Sequence, residues 1–158
     1  FVATDFSLMS REVLGAVICD CWEMPEYPTQ ALANHVAYNT DDADFTYADA
    51  EEQWVLWFRA AGFRVGETLS EPPDVPVTLY RGAPERHRLG MSWTDDLATA
   101  RWFAERWRVT EPASVWTTTC APERLLARPI GRSDSSGKTE GEWVTVPPQA
   151  HLVTVVED

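Results

Sequence analysis

Glu71-Pro72-Pro73-Asp74-Val75-Pro76 divides the chain into two halves of different periodicity. Proline lacks the amide donor and fixes one backbone torsion, so neither a helix nor a sheet interior can run through this stretch. Upstream the apolar residues recur at helical spacing; downstream they fall into short β-rich runs between turn residues. The stretch therefore reads as a hinge inside one domain spanning residues 1–158, with a helical part over 1–70 and a β core over 71–158. Helices first and strands after predict an α+β fold.

Working back from the hinge, Trp54, Val55, Trp57, Phe58 and Ala61 form the buried stripe of a helix over Tyr47 to Ala61 that Gly62 ends. Asp41, Asp42 and Asp44 precede it without the glycine and distal glutamate of a calcium loop, so they read as a solvated helix entry. Pro25 and Pro28 break the chain ahead of a shorter helix, capped by Thr29 and ending near Tyr38. Leu8, Met9, Val13, Leu14, Val17, Ile18, Cys21 and Trp22 line one face of the first helix, with Ser7 or Ser10 as its cap.

Forward from the hinge, strands are expected at Val77 to Arg81, Met91 to Thr94, Ser114 to Cys120, Leu126 to Ile130, Glu142 to Val146 and Leu152 to Val156. One helix interrupts them, Leu97 to Trp107, with Asp95 or Asp96 as its cap. Arg132 to Gly141 has no apolar residue to bury and predicts an exposed loop leading into a strand.

Composition narrows the function classes. The 158 residues are 44% hydrophobic with eight tryptophans, enough for a packed core. A net charge of -12 repels phosphate backbones and membranes and suits a basic partner surface, although one local arginine can still grip a small anion. Cys19, Cys21 and Cys120 form neither a disulfide framework nor a zinc spacing, and His35, His87 and His151 are scattered, so no metal is expected. No stretch reaches the roughly 20 apolar residues of a membrane helix. The expected location is the cytoplasm, or a target cytoplasm into which the protein is delivered, for a sequence that opens at Phe1.

Chemistry concentrates in three segments: Leu79-Tyr80-Arg81-Gly82, Ser92-Trp93-Thr94 and Glu140-Gly141-Glu142. Arg81 ends a strand, where a planar guanidinium can grip a phosphate, and Gly82 lets backbone come close. Strand alternation puts the Ser92 and Thr94 hydroxyls on one side and Trp93 on the other. The same alternation lets Glu140 and Glu142 share a cleft, where two carboxylates can take different tasks.

In this order the segments resemble the arginine, serine-threonine-serine and glutamate-x-glutamate motifs of the ADP-ribosyltransferase superfamily, in the branch of the clostridial binary toxins and arginine-modifying transferases. Thr94 stands where that family more often has a second serine. The resemblance implies a compact split β-sandwich of about six strands with one crossing helix, on which the N-terminal helices pack. It implies NAD as substrate: Arg81 on the phosphate and ribose of the nicotinamide half, the Gly82 backbone on the nicotinamide amide, Ser92 on the ribose and catalytic glutamate, Tyr80, Trp93 and Thr94 in the same cofactor-binding set, and Phe103 against nicotinamide. Arg106 and Arg108 are weaker phosphate candidates.

By the same resemblance Glu142 is the catalytic carboxylate and Glu140 orients the acceptor. The expected activity is mono-ADP-ribosyl transfer to a macromolecule, first of all an arginine of a protein with an exposed basic surface, in a toxin or effector role; a nucleic-acid acceptor stays open. Two alternatives stand beside it. An NAD glycohydrolase would use the same pocket with water as acceptor, and a non-catalytic acidic interaction or inhibitor protein would use the charge alone.

Overall fold

The computed structural model describes residues 10–40, 42, 44–130 and 141–156. Ser7, Leu8, Met9, Asp41 and the stretch 131–140, which includes Glu140 and most of the expected loop, lie outside the described residues.

Three helices come first. In α1 (Arg11–Glu23), the Ser10 hydroxyl accepts the Val13 amide at 3.4 Å. The next, α2 (Pro28–Asn39), corrects the expected cap: Tyr27 precedes the helix, Pro28 is its first residue and Thr29 is buried in the first turn. Proline at that position has no amide to satisfy and a torsion already helical, so it starts the helix and leaves the threonine inside. Helix α3 (Tyr47–Ala61) opens with a reciprocal Thr46 and Asp49 cap and stops at Gly62, whose φ of 79° favours glycine.

Between α3 and the proline hinge lies a hairpin absent from the sequence reading, β1 (Arg64–Val65) with β2 (Thr68–Leu69). Beyond the hinge come β3 (Val77–Ala83), β4 (Ser92–Thr94), helix α4 (Leu97–Arg108, capped by Asp96), β5 (Ser114–Cys120), β6 (Leu125–Ala127), β7 (Glu142–Thr145) and β8 (Thr154–Val155). Their order across the sheet is β6-β7-β4-β3-β5-β8, with every pair antiparallel. The fold is thus α+β, as expected.

The sheet nearly parts at its middle. β3 pairs with β5 at seven positions but with β4 at one, Tyr80↔Thr94, so two three-stranded halves meet at a single rung. The strand expected over Leu126–Ile130 is shorter and begins earlier, because its register with β7 shifts between Leu125 and Ala127 and Pro129 has no ladder donor. Likewise the last strand shrinks to Thr154–Val155 behind a 3-10 turn over Ala150–Leu152.

Three apolar clusters fix these pieces. Helices α1 to α3 bury Ile18, Trp22, Leu32, Trp54 and Phe58 against Met91, Leu126, Ala127 and Val144. A second cluster joins Leu79, Trp93, Trp143 and Val153, with Trp93 and Trp143 as register partners. Ala100 and Ala104 of α4 pack on Val115 and Tyr80 in the third. The helical part and α4 thereby stand beside the joint between the half-sheets.

Candidate active site

Glu142 begins β7, directly opposite Thr94 on β4, which is opposite Tyr80 on β3. Directly opposed residues share a face of a sheet, so one row across three strands carries three of the expected site residues. The backbone ahead of Glu142 is set by Gly141, whose φ of 59° favours glycine and whose carbonyl accepts the Asp95 amide at 3.2 Å. A side chain there would come within 2.6 Å of Asp95 Oδ1.

Both carboxylate oxygens of Glu142 are held. Ser92 Oγ donates to Oε2 at 2.6 Å, and Trp22 Nε1 donates to Oε1 at 3.0 Å. Trp22 comes from α1, is 3% exposed, and stands edge-on to Trp54 and Phe58 with ring centroids at 5.2 and 5.4 Å. The spacing of α1 makes Trp22 a core residue, which it is; its indole N–H faces the other way, into the site.

Arg81 lies near the end of β3. Its Nε donates to the His87 carbonyl at 2.8 Å and its Nη1 to the Ser92 carbonyl at 2.6 Å, which ties β3 to the start of β4 where the ladder is thinnest. Burial lowers its pKa, and the negative charge available at Tyr47, Glu51 and Glu142 raises it in opposition. Arginine starts so high that the guanidinium remains charged. The same neighbourhood acts on α3: burial raises the pKa of Glu51 and of Tyr47, and the positive charge of Arg81 opposes both shifts.

The packing of α4 gives Gly82 a further reason to be glycine. A Cβ on it would lie 2.0 Å from the Ala100 carbonyl oxygen and 2.5 Å from the Ala104 amide. Its bare Cα lets α4 lie against β3. Phe103 and Trp107 of that helix form one wall of a cavity of about 310 Å³, and Trp22, Tyr27 and Tyr47 of the helical part face them.

Tyr80, Arg81, Gly82, Ser92, Trp93, Thr94, Phe103 and Glu142 all border this cavity. Their contributions differ. Trp93 is 2% exposed and its indole N–H donates to the Gly90 carbonyl at 2.8 Å, so its ring serves the core. Thr94 Oγ1 accepts the Asp96 amide at 3.0 Å and helps start α4. Arg106 is paired with Glu26 at 2.5 Å, and Arg108 with Glu105 and the Ala113 carbonyl.

Sequence reasoning missed Trp22, Tyr27, Tyr47, His87 and Trp107 on the cavity wall. His87 meets Trp107 with ring centroids at 5.6 Å and planes tilted by 39°, and burial first, then Arg86 and Arg81, hold its pKa below the ordinary imidazole value. The resulting chamber is aromatic on its sides, with a guanidinium and a doubly held carboxylate at its base.

Comparison with protein-family models, curated proteins and solved structures finds no match. Among the described residues no helix is long and apolar enough to cross a membrane. All three cysteines are free thiols.

Proposed function

We propose that the chain binds NAD in this cavity and transfers ADP-ribose to an acceptor with release of nicotinamide, as a mono-ADP-ribosyltransferase. The observation that carries the reading is the convergence of Arg81, Ser92 and Glu142 on one cavity, with an inward carboxylate gripped at both oxygens. The order of the three segments, which resembles that of the arginine-modifying transferases, supplies the substrate.

The chemistry suits these groups. When the glycosidic bond of NAD breaks, its electron pair leaves on the nicotinamide nitrogen and positive charge develops on the ribose. A fixed carboxylate beside that carbon stabilises the cation, as in glycoside hydrolysis. Glu142 takes this role, held by Ser92 and Trp22 so that it need not reorganise as the charge appears. Arg81 binds phosphate oxygens, and the aromatic walls receive the nicotinamide ring, Phe103 first among them.

At about 310 Å³ the cavity stands at the small end of the ~300–1,000 Å³ typical of small-molecule sites. It suits the nicotinamide half of the dinucleotide. The acceptor is an arginine guanidinium on a basic protein surface, oriented by Glu140, and the net charge of -12 favours that encounter. Attack by the acceptor nitrogen forms the new bond to the ribose carbon, and the acceptor gives up one proton. Water in place of the guanidinium would yield NAD hydrolysis in the same pocket. A protein that merely displays acidic charge has no use for an indole N–H aimed at an inward carboxylate.

Nicotinamide release from NAD, measured with purified protein and a guanidino acceptor, tests the reading. Glu142→Gln is expected to slow release by roughly 10²–10³-fold with the fold intact, the scale of losing one transition-state electrostatic contact. Glu140→Ala should keep hydrolysis and lose transfer. Turnover by Glu142→Gln at the wild-type rate would refute the proposed active site.

A further inference from the structure

Two of the groups that hold the Glu142 carboxylate come from different parts of the chain, Ser92 from the motif strands and Trp22 from outside them. Ser92 stands two positions along β4 from Thr94, the register partner of Glu142, whereas Trp22 is 120 residues away in sequence, on a helix with no motif of its own. A hydroxyl can rotate between donating and accepting, but an indole N–H only donates. Serine alone would therefore tolerate either a protonated or an ionised carboxyl. The tryptophan tolerates only an accepting oxygen.

Packing removes the indole's freedom to turn away. Trp22 is 3% exposed and stands edge-on to both Trp54 and Phe58, neighbours on one face of α3. Release of its N–H would require rebuilding the main hydrophobic cluster of the helical part. Glu142 by contrast hangs from the first residue of a four-residue strand and has three side-chain torsions of its own. The rigid partner sets the rotamer of the flexible one.

We propose that Trp22 is a positioning residue for Glu142: its buried indole N–H pins Oε1 as an acceptor, fixes the carboxyl rotamer and favours the charged form within the cavity. This rests on the transferase reading for its catalytic consequence and on geometry alone for its electrostatic one. The helical part then completes the site on the β core.

Among the described residues, the charged and titratable groups near Glu142 include Arg81, Tyr47 and Glu51, which couple through Arg81, Glu26 and His87 on the cavity wall, and Asp95 beside Gly141. Variants at Trp22 leave every one of them in place, so a change in the titration of Glu142 reports the missing N–H. Donation to the charged form of an acid lowers its pKa, and removing the donor raises it. A lost hydrogen bond to a partly buried charge predicts a rise of about one pH unit and a fall in kcat of about tenfold.

The experiment replaces the indole N–H with sulfur by site-specific incorporation of benzothienylalanine at position 22, and compares Trp22→Phe and Leu32→Ala, a packing control in the same apolar cluster. The Glu142 carboxyl carbon, assigned by its loss in Glu142→Gln, is titrated by NMR, and nicotinamide release is followed against pH. Both Trp22 variants should raise the Glu142 midpoint and carry the acid limb of kcat upward with it, while KM for NAD stays within about twofold. Leu32→Ala should lower stability and leave the midpoint where it was. An unchanged midpoint in the sulfur variant overturns the proposal. Wild-type protein that releases no nicotinamide, yet whose Glu142 midpoint moves with Trp22, would retain the positioning role and discard the NAD reading.

Discussion

Replacing Gly82 by alanine should separate α4 from the sheet. The added Cβ would sit 2.0 Å from the Ala100 carbonyl oxygen, about 1.4 Å inside the 3.4 Å at which ordinary contact begins. Both nearest residues present helix backbone atoms, so no side-chain rotation relieves the clash and the helix itself must shift. Overpacking of this kind costs about 1–3 kcal/mol, and a rigid neighbour puts Gly82→Ala near the upper end. For a domain of roughly 150 residues each kcal/mol lowers the melting midpoint by about 2–4 °C. A fall of about 6–10 °C is expected in thermal unfolding followed by far-UV circular dichroism. Because Phe103 and Trp107 ride on α4 and line the cavity, the near-UV tryptophan signal should change as well. A melting midpoint within about 1 °C of wild type, with the near-UV spectrum preserved, would refute the close approach of α4 to β3.

Arg81→Lys keeps a positive charge but cannot reproduce two donations in one plane to the His87 and Ser92 carbonyls. NAD affinity by calorimetry should weaken about tenfold or more, with Ser92 less firmly placed; unchanged affinity would remove Arg81 from the binding site. Cys19 and Cys120 are each pushed up to about 11, chiefly by burial, from a model-compound value of 9.0. A folded-state pKa above the unfolded one favours the fold below the unfolded value, and that contribution is lost as pH rises toward the folded value. The melting midpoint should therefore drop between pH 9 and about 11, and less steeply in a Cys19→Ala, Cys120→Ala double variant. Equal slopes in the two proteins would exclude the thiols as the cause.

Much of the architecture is legible where one local signal dominates. Trp54, Phe58 and Ala61 repeat on one face and Gly62 stops the turn, so α3 has the expected bounds, Tyr47–Ala61. Ser114–Cys120 likewise forms as read, its alternation held by seven register partners on β3. The hairpin of β1 and β2 has two residues in each strand, too few for any periodicity, and depends on Gly66 at φ 58° and on Arg64, whose guanidinium bonds the Arg11, Ala61 and Glu67 carbonyls. Those are tertiary facts. Thr29 looked like a cap because hydroxyls suit that position, but Pro28 ahead of it is the stronger starter.

The site divides along the same line. Arg81, Ser92 and Glu142 stand out in sequence because of their chemistry and their order, each on its own strand, and β7, β4 and β3 are neighbours in the sheet. Trp22, Tyr27 and Trp107 do not stand out, since aromatic residues at helical spacing signal core, and only the packing of α1, α2 and α4 around the sheet joint turns them toward a cavity. The missing side chain of Gly82 also admits α4, a neighbour that no local signal in the sequence names.

The two clamps on Glu142 span sequence separations of 50 and 120 residues. Whatever reaction that carboxylate serves, its final orientation requires two long-range events together, the pairing of β7 with β4 and the docking of α1 beside them. A nascent or half-denatured chain can own every motif residue and still hold an undirected acid. Competence here is a property of completed assembly, and loss of it should be an early sign of loosening between the helices and the sheet.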